Sequence, residues 1–137
     1  MKVKLKNIEK YFSPVEIETI NSFIKFLQSQ VSLDKDIHIG FDADRNGTPM
    51  TTGVRLPNHN IRILAKDRLL IDVLRTLAHE WVHEYQHQKM GLKDTTKIQN
   101  IGGPEENMSN VLSGIYIKKF AKMFPTHKEV MFGEQDE

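Results

Sequence analysis

His79, Glu80 and His83 are the residues of this chain whose types and spacing are best suited to chemistry. They stand in the run His79-Glu80-Trp81-Val82-His83, an H-E-x-x-H pattern. A helix turns about 100° per residue, so positions i and i+4 stack on one face. His79 and His83 can then aim two imidazoles at one metal ion, with Glu80 beside them. Two nitrogen ligands and a neighbouring carboxylate fit a zinc site in which the carboxylate takes a proton from metal-bound water.

The segment around the motif is patterned as the helix this chemistry needs. Asp67 stands where an N-cap is expected. Leu70, Val73, Leu74, Leu77, Trp81 and Tyr85 recur at spacings of three and four and make one apolar face. The two histidines project from the opposite side, with Glu80 close to that side. An ordinary amphipathic helix would carry Lys and Glu on its solvated face rather than paired histidines.

A catalytic zinc takes three protein ligands and keeps a fourth position for water. Downstream, Gly103-Pro104 reads as a helix start, with Pro at the first helical position and the helix running to about Phe124. Glu106 and Asn110 fall at i and i+4 on one face of it. Glu106 can supply the third ligand, and Asn110 can accept a hydrogen bond from a ligand histidine and fix its tautomer. The 22 residues between His83 and Glu106 suffice for the chain to reverse. Two alternatives stay open at this point. Glu105 adjoins Glu106, so the ligand could shift by one. His87 continues the histidine row by another four residues, but three histidines along one straight helix span about 12 Å, too far for all to reach one tetrahedral ion. His87 reads better as a polar group at a cleft rim, and Glu84 as a solvated surface charge.

The pair HEWVH and EENMSN, read as H-E-x-x-H followed by E-x-x-S-N, resembles the gluzincin metallopeptidases. The likeness is to the small intracellular and phage-borne branch, which includes phage-repressor-cleaving and radiation-response peptidases. Its second motif is typically E-x-x-A-N, so Ser109 stands here in place of alanine. The motifs cover His79 to Asn110, and a likeness in strand order reaches back to about residue 50. The resemblance implies a zinc-dependent peptidase with one Zn2+ per chain, held by His79, His83 and Glu106. It implies Glu80 as general base and Asn110 as the support of a ligand histidine. A cytoplasmic setting, such as a phage-infected bacterial cell, goes with it.

The elements that must position these residues follow from patterning. A chain of 137 residues predicts one domain, 1–137. Ser13-Pro14-Val15-Glu16 is a capping box, and Ile17, Ile20, Ile24, Leu27 and Val31 form the apolar stripe of the helix it opens. Ahead of it Val3 and Leu5 alternate with lysines, the pattern of a short edge strand. Ile37, Ile39 and Phe41 alternate over 36–42, Asn46-Gly47 is a turn signal, and Thr51–Leu56 and Ile61–Ala65 flank the turn-rich Pro57-Asn58-His59-Asn60. The simplest arrangement is a three-stranded antiparallel meander leading into the histidine helix. Thr51, Thr52, Gly53 and Val54, on an edge strand, are the candidates to bind a substrate backbone as an added strand, with His87 at the rim. A plain structural hairpin is the competing reading. His38 and His59 read as surface or satisfied histidines. Arg62, Tyr85 and Tyr116 are candidates to stabilise an oxyanion. In the last helix, Val111, Leu112, Ile115, Phe120 and Phe124 are the packing positions, and residues 125–137 read as a loosely held tail.

Composition narrows the function. Lys+Arg number 19 and Asp+Glu 18, a net charge of +1, which argues against nucleic acid as a partner. There is no cysteine, hence no disulfide and no thiolate metal site. The basic start MKVKLKNIEK has no apolar run behind it and does not read as a signal peptide, and no stretch reaches membrane-span length. The expectation is therefore a minimal zincin-like α+β fold: an N-terminal helix, a small antiparallel three-stranded sheet, the H-E-x-x-H helix and a C-terminal helix bearing the third ligand. Its expected work is hydrolysis of a protein or peptide substrate in a shallow cleft. The rivals are a zincin-fold module that binds metal with weak or no turnover, and a DNA-associated protease of the SprT type. The second would want a third histidine ligand and a basic extension.

Overall fold

A computed structural model describes residues 1–45, 52–91 and 104–133. Over these the chain is α+β, in the order β1 (Val3–Lys6), α1 (Ile8–Tyr11), α2 (Pro14–Gln30), β2 (Ile37–Asp42), β3 (Gly53–Leu56), β4 (Asn60–Leu64), α3 (Leu70–Lys89), α4 (Pro104–Met123) and α5 (Pro125–Met131). The Ser13 capping box forms as the residues predict. Ser13 Oγ accepts from the Glu16 N–H at 3.3 Å, and Glu16 Oε1 accepts from the Ser13 N–H at 2.9 Å. Such a cap contributes about 1 kcal/mol and pins the start of α2. Its apolar stripe, with Ile20, Phe23, Ile24 and Leu27, then packs into the core beside α3.

Alternation places Val3, Leu5, Ile37, Ile39, Phe41, Ile61 and Ile63 on one sheet face, against the helices. The outer face carries His38, Asp42 and Arg62, and the last two form an ion pair. Lys4 and Lys6 leave the β1 edge charged, which discourages pairing with another chain. Trp81, fully buried, donates its indole N–H to the Val31 carbonyl at 2.8 Å and ties α3 to the end of α2.

Four expectations need correction. The sheet is not a three-stranded antiparallel meander. It has four strands in the order β1-β2-β4-β3, with β1–β2 and β2–β4 parallel and only β3–β4 antiparallel. The more apolar β4 takes the central place, its Ile61 and Ile63 fully buried, and the short β3 goes to the edge. The Asn46-Gly47 turn signal lies outside the described residues. Asp67 does not cap α3: it sits two residues earlier in a left-handed turn at φ 59, and Leu69 holds the cap position without a side-chain bond. Residues 125–131 are not a loose tail but form α5, whose Val130 and Met131 enter the core. The His127 ring stacks on Phe120, and its Nδ1 lies 2.7 Å from Thr19 Oγ1. Finally, α4 does not pack through Val111 and Ile115, which are exposed, as is Phe124. It turns Ser109, Ser113, Ile117 and Phe120 inward instead. Small serines at the contact let α4 approach α3 closely, which is what the site requires.

Candidate metal centre

The helical period of α3 carries His79 and His83 to one face, and α4 crosses that face with Glu106 in its first turn. The three side chains converge. His79 Nε2 lies 3.2 Å from His83 Nε2 and 2.7 Å from Glu106 Oε1, and His83 Nε2 lies 3.3 Å from Glu106 Oε2. Among the described residues this trio is the group that could hold a metal ion. Ligands about 2.1 Å from a tetrahedral zinc would be about 3.4 Å apart, so the trio fits such an ion with small adjustments. His79 and Glu106 keep side-chain exposures of 19% and 17% against 4% for His83, so the centre opens to solvent on the His79–Glu106 side.

The protonation states suit coordination. Burial pushes the His79 imidazolium below its ordinary value and His83 adds to this, while Glu106 and the Asn110 side chain pull the other way. A neutral imidazole is the ligand form. The Asn110 bond favours the charged ring, so the ring N–H donates to the Asn110 amide oxygen. The His83 ring is held by a residue the sequence reading passed over. Its Nδ1 lies 2.8 Å from Gln86 Oε1, and Gln86 Nε2 donates to the Glu105 carbonyl at 2.9 Å. Gln86 therefore leaves His83 Nε2 as the atom free to coordinate a metal ion and joins α3 to the first turn of α4. Its signal was present: it lies three residues beyond His83 on the ligand face of a helix.

Glu80 is 5% exposed, and its Oε1 has no hydrogen-bond partner. Burial first, then the Glu106 charge, raises its pKa to about 8, and a bond from the Arg55 backbone N–H opposes them. A buried carboxyl group with one unpartnered oxygen beside a two-histidine, one-carboxylate trio is placed to exchange a proton with a group bound at that trio.

The other predicted residues fall as follows. Thr51 lies outside the described residues. Thr52 is exposed and meets Thr76 Oγ1 at 3.4 Å. Gly53 and Val54 lie on β3, which is an edge strand as expected. The Leu64 N–H to Thr52 carbonyl bond, at 2.8 Å, sets the alternation. Thr52, Val54 and Leu56 thus bond towards β4, and the backbone of Gly53 and Arg55 faces outward. The Val54 side chain is buried. His87 is half-buried one turn beyond His83 and is not in the ligand trio. The oxyanion candidates are placed elsewhere: Arg62 pairs with Asp42 on the outer sheet face, and Tyr85 and Tyr116 pack against the core. Glu84, expected in solvent, is fully buried and bound to Arg55 and His59, because the β3–β4 hairpin lies over it. His38 is exposed, and His59 is satisfied by Glu84. No helix among the described residues is long and apolar enough to cross a membrane. No family model matches the chain, no curated protein is significantly similar to it, and no solved structure matches it.

Proposed function

We propose that this chain is a zinc-dependent peptidase of gluzincin type on a minimal zincin-like fold, acting on an exposed segment of a protein or peptide. The observation that carries the reading is the meeting of His79, His83 and Glu106 at one solvent-open point beside the buried, orphaned oxygen of Glu80. A bound zinc ion would supply a Lewis acid, water activated toward neutral pH, and positive charge that draws Glu80 down from about 8. Glu80 takes the proton from the attacking water and hands it to the leaving amine as the peptide bond breaks. Asn110 and Gln86 orient the two imidazoles. The outward backbone groups of Gly53 and the Arg55 carbonyl offer a substrate partners for pairing as an added strand, while the Arg55 N–H is taken by Glu80. The resemblance to phage-borne relatives of this type makes a cytoplasmic protein the proposed substrate, and zinc the proposed metal for a two-nitrogen, one-carboxylate donor set.

The deciding experiment replaces Glu80 with Gln, which keeps size and hydrogen bonding but removes the base. The variant should still bind one zinc per chain and stay folded, while turnover of a cleavable peptide falls by about 10²–10⁴. Hydrolysis at the wild-type rate would contradict the mechanism.

A further inference from the structure

Glu84 lies one helical turn beyond Glu80 on α3 and is fully buried. A carboxylate removed from water is costly unless it is bonded. This one accepts three hydrogen bonds: from Arg55 Nε at 2.7 Å, His59 Nδ1 at 2.6 Å and Gln88 Nε2 at 2.6 Å. Arg55 and His59 both belong to the β3–β4 hairpin, so Glu84 is a point at which the hairpin is fastened to α3 through two of its side chains. Buried ion pairs of this kind set geometry more than they add stability.

The hairpin turn shows that the His59 bond is maintained against a backbone preference. Asn58 and His59 have φ of 66° and 61°, consecutive left-handed residues. Asn suits the first position, and Gly is the residue that suits the second. The histidine that stands there puts its ring on a buried carboxylate, which gives the side chain a structural use.

Arg55 is where this clamp reaches the metal centre. Its side chain is bound by Glu84, and its backbone N–H bonds the Glu80 carboxylate. The strand lies so close to α3 that a Cβ on Gly53 would stand 2.4 Å from Thr76 Cγ2 and 3.3 Å from Glu80 Cγ. Glu84 itself is outside the ligand trio.

We propose that Glu84 is a positioning residue for the peptidase reaction: by holding Arg55 and His59 it fixes the hairpin so that the Arg55 N–H sets the orientation of the Glu80 carboxylate. The proposal rests on the peptidase reading, and its test separates the two. The first measurement needs no metal: amide hydrogen exchange of Arg55 in the chelator-treated protein. In Glu84→Gln the Arg55 amide should exchange at least about tenfold faster, while the Ile61 and Ile63 amides of β4 keep their protection. Unchanged Arg55 exchange overturns the proposal. Should Glu84→Gln not fold, His59→Gly, whose φ suits glycine, carries the same measurement. There, exchange at least about threefold faster supports the clamp, and an unchanged rate overturns it. The second measurement is kinetic. Zinc-loaded Glu84→Gln should lose about 10²-fold in kcat with KM within about threefold, since a base misplaced by about 1 Å costs on that order, and Glu84→Asp should recover part of the loss. A change confined to KM overturns the proposal. Wild-type protein that cleaves no peptide but shows Glu84-dependent Arg55 protection supports the clamp and counts against the peptidase reading alone.

Discussion

Glu80, the base of the proposed mechanism, sits in an unusual environment, and its titration can be read without any substrate. Its pKa in the fold is about 8 against an ordinary 4.5, so the fold prefers the protonated acid. In the metal-free protein its contribution to stability is complete below the unfolded value and is lost as pH rises through about 8. Glu80→Gln, a neutral near-isostere, should therefore gain on wild type between about pH 5 and about pH 9, by on the order of 1–4 kcal/mol. Urea unfolding in the presence of a chelator measures this, and a wild-type-to-variant difference that is constant with pH would contradict it. His79 titrates in both proteins. Its lowered pKa weakens each as pH falls below 6.5, so that effect drops out of the comparison in sign and form.

The supports of the imidazoles make a second residue-scale prediction. Gln86→Ala and Asn110→Ala should each weaken zinc affinity by about 10–100-fold while the fold survives. Asn107→Ala, three residues before Asn110 and about 60° around the helix, should do less. Competition against a chelating dye would show it, and silence of both Gln86 and Asn110 would remove their role. At this scale the trio was legible in part: helical spacing turns His79 and His83 to one face, and the i, i+4 relation to Asn110 singled out Glu106 on the second helix, where the structure brings the three together. Glu84 could not be read. Its surroundings are set by Arg55, 29 residues earlier in the chain, and a helix position is solvated or buried according to what lies on it.

At the scale of elements, the close approach of β3 to α3 is the contact that brings Arg55 to Glu80. Gly53 permits it. Gly53→Ala would place a Cβ 2.4 Å from Thr76 Cγ2, so strand or helix must shift, at a cost of about 1–3 kcal/mol by analogy with overpacked cores. Thr76→Ser removes that methyl and keeps the hydroxyl that accepts from Arg68 at 2.9 Å. The double variant should therefore recover most of the loss, a coupling that a double-mutant cycle reads directly. Additive effects would mean that the contact is not the source of the strain. The helices α2, α3 and α4 were legible because three-to-four spacing, the Ser13 capping box of α2 and Pro104 at the start of α4 are local signals. The sheet order was not. Alternation looks the same in parallel and antiparallel strands, and it does not say that β4 rather than β3 stands beside β2. The outward face of α4 misled for a related reason: Val111 and Ile115 have the spacing of a packing stripe, but the buried positions are Ser109, Ser113, Ile117 and Phe120.

At the scale of the whole molecule, one helix-covered sheet face holds the core, and the metal trio lies at the seam of α3 and α4, with the β3 hairpin on the other side of Glu80. The parts come from distant stretches of chain, so the centre forms only when the fold does, and zinc binding should be linked to stability. The near-balanced charge was readable from composition. The place of α5 was not, because its hold on the core runs through Met131, Val130 and the His127–Thr19 contact rather than through any long local pattern. The central claim is that His79, His83 and Glu106 form one zinc centre, and the structure of the zinc-loaded protein, with the metal located by anomalous scattering, tests it most directly. The account predicts one ion per chain with His79 Nε2, His83 Nε2 and a Glu106 oxygen at about 2.0–2.2 Å, and with Gln86 and Asn110 bonded to the rings but not to the metal. An ion held instead through His87 or Glu105, or no ion at that point, would contradict it.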